Sequence, residues 1–275
     1  MNPSTSDIDA GAINLLLNCA QAKAGDHILI VGEDTADSYF DSELCDDIAR
    51  VAQQLGMQSK VVLAKPVVDA NQFPSLVSDA MLQADKTIFF SRLGDQVRFL
   101  ATPGNSQKVM CYTLTREHLA SPFAIINYNS LKRMHDALKK IIINSTIYRI
   151  DADCGTSLTS QMASSSDSSQ LAVAEFSLDL FPVMIFPPVH FNQLSGQLVL
   201  RDFLLSSSTR QYSDSVLRIE SPVVANIENS HIINFEGDQI QIKKIKSQLE
   251  RAAKITGGDA YQLNSWHTGI NPYTF

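Results

Sequence analysis

The stretch Gly25-Asp26-His27-Ile28-Leu29-Ile30-Val31-Gly32-Glu33-Asp34 decides the fold. Its centre is an unbroken aliphatic run bounded by turn residues, which is the pattern of a short strand buried on both faces. Upstream, Ile13, Leu16, Leu17 and Ala20 recur at helical spacing. Downstream, Leu44, Ile48, Val51 and Leu55 form a second helical stripe, closed by Gly56 ahead of the apolar run Lys60-Val61-Val62-Leu63. A third unit combines a helix over roughly 73–83 with the strand Thr87-Ile88-Phe89-Phe90. Short apolar strands separated by helices predict parallel βαβ units in a doubly wound α/β layer. Leu131, Met134, Leu138, Ile141 and Ile142 predict one more long amphipathic helix, ending near Asn144.

Beyond Tyr148 the helical period gives way to short β-patterned runs separated by turn residues. The expected division is therefore a Rossmann-like α/β domain over 1–147 and a mostly antiparallel, β-rich domain over 148–275. In the second part, strands are expected over 183–186, 197–200 and 216–219. The runs 223–228 and 231–236 are joined only by Asn229-Ser230, a tight-hairpin signal. Ser164-Ser165-Ser166-Asp167-Ser168-Ser169 reads as a surface loop, and Ile242, Ile245, Leu249 and Ala252 mark a last helix.

Composition narrows the function. The 275 residues carry 29 acidic and 22 basic side chains, a formal net charge of −7. An acidic chain with no long basic cluster argues against nucleic acid, whose binding is built on Lys and Arg contacts to phosphates. No apolar run approaches the roughly 18 residues of a membrane helix, and the amino terminus has no signal-like pattern, so no membrane partner and a cytoplasmic location are expected. The four cysteines form no CxxC pair; Cys19 and Cys45 fall on apolar helical positions and are expected to be reduced and buried.

Gly32-Glu33-Asp34 lacks the G-x-G-x-x-G of a dinucleotide site, and Glu33 and Asp34 are expected to be solvated or to cap a helix. Among the six histidines, His27, His118, His135 and His231 read as structural or surface residues. His190 follows the proline-stiffened segment Phe186-Pro187-Pro188-Val189. His267 stands in Ser265-Trp266-His267-Thr268-Gly269-Ile270-Asn271-Pro272, beside the only tryptophan. One histidine makes no metal centre, which needs about three protein ligands.

Several pieces, in order along the chain, resemble one family: 16–26 (LLNCAQAKAGD), 134–150 (MHDALKKIIINSTIYRI), Gly155-Thr156-Ser157-Leu158, 187–196, the hairpin ending Phe235-Glu236-Gly237-Asp238, and 266–272 (WHTGINP). That family unites metallo-aminopeptidases of the aminopeptidase T type with non-haem iron 2,5-dihydroxypyridine 5,6-dioxygenases. The resemblance implies an α/β domain followed by a mostly β metal-binding domain, with His267 at the position of a metal ligand. It also implies a glutamate ligand where this chain has His190, and further ligands from a segment beyond Pro272, whereas this chain ends at Phe275.

The expectation is therefore a truncated relative without cofactor, a non-catalytic accessory protein that binds a peptide or small molecule in the cleft between its domains. His190, Asn192, Trp266, His267 and Asn271 are its expected ligand contacts. Such a protein is expected to form a homodimer and to present a precursor peptide in a biosynthetic pathway. The alternative is an aminopeptidase-like hydrolase or iron-dependent ring-cleaving dioxygenase, with Zn or Fe held by His267 and His190.

Overall fold

The computed structural model describes residues 4–34, 36, 38–161, 176–206 and 213–274. Their helices are α1 (Thr5–Ile13), α2 (Leu44–Gln54), α3 (Ser75–Met81), α4 (Arg92–Val97), α5 (Arg116–Leu119), α6 (Pro122–Ile125), α7 (Tyr128–Ile143) and α8 (Gln239–Thr256). The first sheet contains β1 (His27–Glu33), β2 (Gln58–Ala64), β3 (Lys86–Phe90), β4 (Gln107–Cys111) and β7 (Asp179–Phe181), in the order β2-β1-β3-β4-β7 and parallel throughout. The second contains β5 (Ile147–Asp151), β6 (Ser157–Gln161), β9 (Asn192–Leu205), β10 (Val216–Glu228) and β11 (His231–Glu236), in the antiparallel order β11-β10-β9-β6-β5. A two-stranded ladder of β8 (Val189–His190) and β12 (Ser265–Trp266) lies apart from both. This is the expected class, a parallel α/β layer and a separate antiparallel sheet.

Each sheet owns a core. Ile28, Leu29, Ile30, Phe89 and Phe90 are buried in the first, and helices cover them as the unbroken apolar pattern requires. Cys19, Cys45 and Cys111 are buried there too, and burial pushes the Cys45 and Cys111 thiols up to about 12. Cys154 is exposed. In the second sheet Ile219, Val223, Ala225 and Ile227 alternate along β10 and pack against Ile242 and Ile245 of α8. Asn229 and Ser230 both adopt positive φ, 49° and 63°, as a two-residue hairpin needs.

Four details differ from the sequence reading. β4 has no counterpart in it, because a five-residue strand opening on Gln107 and Lys108 gives little apolar signal. The segments 216–219 and 223–228 belong to a single strand whose register shifts between Ile219 and Val223. The strand expected over 183–186 is instead β7, a few residues earlier, and it does not join the antiparallel sheet. A cut between 147 and 148 therefore does not separate the sheets cleanly: Leu178, Leu180, Phe181 and Met184 pack in the core of the first. The run 164–169 lies outside the described residues.

The strand order reverses direction between β1 and β3, the point where open α/β sheets usually take ligands at their carboxyl ends. Here that point is closed. Glu33, whose side chain is fully buried, receives Arg92 Nη2 at 2.5 Å and Nε at 2.9 and 3.0 Å, together with the Arg92 backbone N–H at 2.9 Å. The Tyr39 ring lies 4.6 Å from the guanidinium. Glu33 is thus not solvated; by accepting the first backbone N–H of α4 it caps that helix and ties the end of β1 to its start. Because removing the cation strands a buried carboxylate, Arg92→Met is expected to cost about 3 kcal/mol in urea unfolding. A loss below about 1 kcal/mol would show that the pair does not hold this corner.

Candidate ligand site at the seam of the two sheets

The segment carrying Trp266 and His267 runs antiparallel to residues 182–191. The Phe191 N–H donates to Asn264 O at 2.9 Å, His190 pairs with Ser265 and Val189 with Trp266, and the Phe186 N–H donates to Thr268 O at 3.0 Å. Ile185 and Gly269 then form an isolated bridge. Glycine is required at 269 for space, since a Cβ there would lie 2.6 Å from Val183 O. The proline-rich stretch 182–191 and the Trp266 segment are thus laced together along the boundary between the sheets.

That lacing brings His190, Trp266 and His267 onto neighbouring positions of adjacent segments. His190 is half-buried and His267 is exposed. Partial burial and the charge of Arg98, at the carboxyl end of α4, both lower the His267 pKa, which favours the neutral imidazole near pH 7. Trp266 lies against Tyr148 of β5, with ring centroids 5.7 Å apart and planes at 49°, and Tyr148 stacks on Phe191 at 6.5 Å. Burial pushes the Tyr148 phenol up, opposed in part by Ser160 and the Trp266 indole. Neither contact reaches hydrogen-bond geometry, and the Tyr148 hydroxyl and Trp266 Nε1 are buried without a hydrogen-bond partner among the described residues.

Asn192 opens β9 two positions beyond His190, where the Ser160 hydroxyl brackets its backbone, 3.1 Å from its N–H and 3.0 Å from its carbonyl. Asn271 plays a different part from the one expected. It is 3% exposed, its Nδ2 donates to Phe123 O and Pro182 O at 2.9 Å each, and its Oδ1 accepts from the Tyr273 N–H at 3.0 Å. With amide and carbonyl both engaged by main chain, Asn271 is a clasp between the carboxyl-terminal segment and the first sheet.

The sequence reading missed Tyr148, Phe191 and Arg98. The aromatic pair carries no local motif and meets Trp266 only through strand pairing. Arg98 belongs to a network in which the Tyr112 hydroxyl donates to Asp95 Oδ1 at 2.5 Å and Arg98 Nη1 donates to the same oxygen at 3.3 Å.

A metal fits this site poorly. His190 and His267 supply two neutral ligands, and among the described residues no group of three or more His, Cys, Asp or Glu side chains is placed to hold an ion. A catalytic dication takes about three protein ligands, usually including a carboxylate or thiolate when histidines are few.

No protein-family model and no curated protein matches the sequence. Among solved structures, 2,5-dihydroxypyridine dioxygenase from Pseudomonas putida KT2440 superposes with a TM-score of 0.59, covering 95% of this chain and 76% of its own at 11% identity. Wild-type AmpT from Thermus thermophilus gives 0.53, covering 96% and 78%, also at 11% identity. The chain therefore shares the two-sheet scaffold of these proteins, and at such identities the likeness is one of fold. No helix among the described residues is long and apolar enough to cross a membrane.

Asn271→Ala would remove the partner of the buried Pro182 carbonyl and of the half-buried Phe123 carbonyl and Tyr273 N–H, at a cost of about 1–3 kcal/mol. Hydrogen exchange should then accelerate over 268–274 while β1 and β3 stay protected. Unchanged exchange over 268–274 would show that the clasp is dispensable.

Proposed function

We propose that this chain is a non-catalytic, cytoplasmic binding protein that recognises a peptide or small molecule at the seam, using Trp266, His190 and His267, with Asn192 at the margin. The observation that supports the reading is the aromatic group of Trp266, Tyr148 and Phe191 along the laced segments, with, among the described residues, no cluster of His, Cys, Asp or Glu side chains placed to hold a metal. Such a set suits stacking and hydrogen bonding better than activation of a metal-bound water. The fold likeness to AmpT and to the dioxygenase makes a peptide or a hydroxylated aromatic ring the natural first ligands to try. Presentation of a precursor peptide to modifying enzymes is the version of this role we favour.

Trp266 is the only tryptophan, so intrinsic fluorescence reports on the site directly. Titration with short peptides and with 2,5-dihydroxypyridine should give a saturable change for one class, and His267→Ala should weaken it about tenfold, the worth of one hydrogen bond. Elemental analysis showing about one Zn or Fe per chain, lost in His267→Ala, would overturn the reading in favour of a metalloenzyme.

A homodimer is part of the proposal. β9 pairs with β6 only as far as Gln197, and beyond it Phe203, Leu205 and Val216 are 57%, 62% and 63% exposed on a projecting β9–β10 ribbon. An edge of this kind invites strand addition by a second copy. Light scattering should give twice 30.3 kDa; a monomer at high micromolar concentration would refute it.

A further inference from the structure

We infer that the free edge of β5 takes up an extended peptide with apolar side chains at alternate positions, as a sixth strand of the antiparallel sheet; the inference rests on the seam as a peptide site and says how the peptide is held. β5 ends the order β11-β10-β9-β6-β5 and pairs with β6 alone. Its register fixes which backbone groups are already engaged. The Ala152 N–H donates to Thr156 O at 3.0 Å across the hairpin, so by antiparallel alternation Ile150 and Tyr148 exchange hydrogen bonds with Leu158 and Ser160. Ile147, Arg149 and Asp151 then turn their N–H and C=O groups away from β6, and none of these groups has a hydrogen-bond partner among the described residues.

Exposed edges are usually blunted by a lone charge, a proline or a covering element. β5 contains no proline, and Ile147, Arg149 and Asp151 are all exposed. Arg149 and Asp151 neutralise one another, Nε to Oδ2 at 2.7 Å, so the edge carries no net charge to repel a strand. The other face of β5 supplies the selectivity. Tyr148 and Ile150 are half-buried there, Ile150 against the second core and Tyr148 in contact with both Phe191 and Trp266. A strand added antiparallel to β5 meets these two residues at non-hydrogen-bonded positions, where facing Cα atoms lie about 4.5 Å apart and side chains touch. Apolar residues at alternate positions of the peptide thus extend the aromatic cluster, while their neighbours face solvent beside Arg149. The shortness of the edge favours a peptide over a second copy. Five residues span about 17 Å, too little to build the interface of about 1,000 Å² that a stable dimer needs, whereas a peptide is held by main-chain hydrogen bonds and alternate side chains.

The probe is the blocked peptide acetyl-Thr-Val-Thr-Val-Thr-amide, added to the intact chain and followed by NMR amide exchange and by Trp266 fluorescence. In the free chain the Ile147, Arg149 and Asp151 amides should exchange fast. At saturation they should slow at least tenfold, with Tyr148 and Ile150 unchanged because β6 already protects them. Of two N-methylated forms, one methylated on the threonines and one on the valines, one should bind at least tenfold more weakly and the other should keep its affinity, since only alternate peptide N–H groups face β5. Arg149→Pro removes an outward N–H and no bond to β6, and should weaken binding at least tenfold. Should that variant fail to fold, the methylated peptides decide. Equal effects of the two methylations, or unslowed exchange at millimolar peptide, would overturn the inference. So would slow exchange of the three amides in the free chain, or a dimer that Arg149→Pro dissociates, since the edge would then already be covered. If the edge stays unprotected while 2,5-dihydroxypyridine still changes Trp266 fluorescence, strand addition fails and the seam stands. Protection without any change at Trp266 keeps strand addition and counts against the seam.

Discussion

A parallel sheet that stops at β4 would leave the outer backbone groups of that strand without partners, and neither α4 nor α7 can supply them. The chain meets this need late: after β5 and β6 have begun the second sheet, it returns to lay Asp179–Phe181 alongside Val109, Met110 and Cys111. The return has consequences well beyond three residues of pairing. It buries Leu180 and Phe181 in the first core and sets residues 182–191 on the boundary between the sheets. Those residues in turn form the track on which the Trp266 segment is laced. The seam exists because this strand comes back.

The two ends of the first sheet carry different chemistry as a result. At the reversal between β1 and β3, where a ligand would be expected, a buried carboxylate and a bidentate guanidinium satisfy one another. The pair stabilises the corner and holds the Glu33 carboxylate inward. The exchangeable polar groups lie instead near β7: imidazoles at 135, 190 and 267, the aromatic group of Tyr148, Phe191 and Trp266, and the Asp95, Arg98 and Tyr112 network. A shared scaffold with AmpT and a dioxygenase does not carry their chemistry with it, since the site is a property of side chains.

Much of the architecture was legible because strong periodicities coincide with buried elements. The run 28–31 is a β1 strand buried on both faces, Leu44, Ile48 and Val51 are the buried stripe of α2, and Asn229-Ser230 is the hairpin turn. Weak local signals failed where burial is decided at a distance. β4 and β7 have few residues and polar starts, and only their neighbours make them strands. His135, read as structural or surface, is structural: its ring stacks on Phe186, a contact between residues far apart in the chain. Asn271 reads from the sequence as a ligand contact, whereas its partners are main-chain groups at 123, 182 and 273.

The sequence by itself determined the class of each half, the helical faces, the hairpin and the cluster of unusual residues around His267, because these follow from local period and turn chemistry. The tertiary structure alone decided what those residues face. Glu33 became a buried partner of Arg92, Asn271 became a clasp, and His190 and His267 came to lie on adjacent, laced segments. Each outcome depends on contacts across tens of residues, which only the path of the chain through both sheets brings into register.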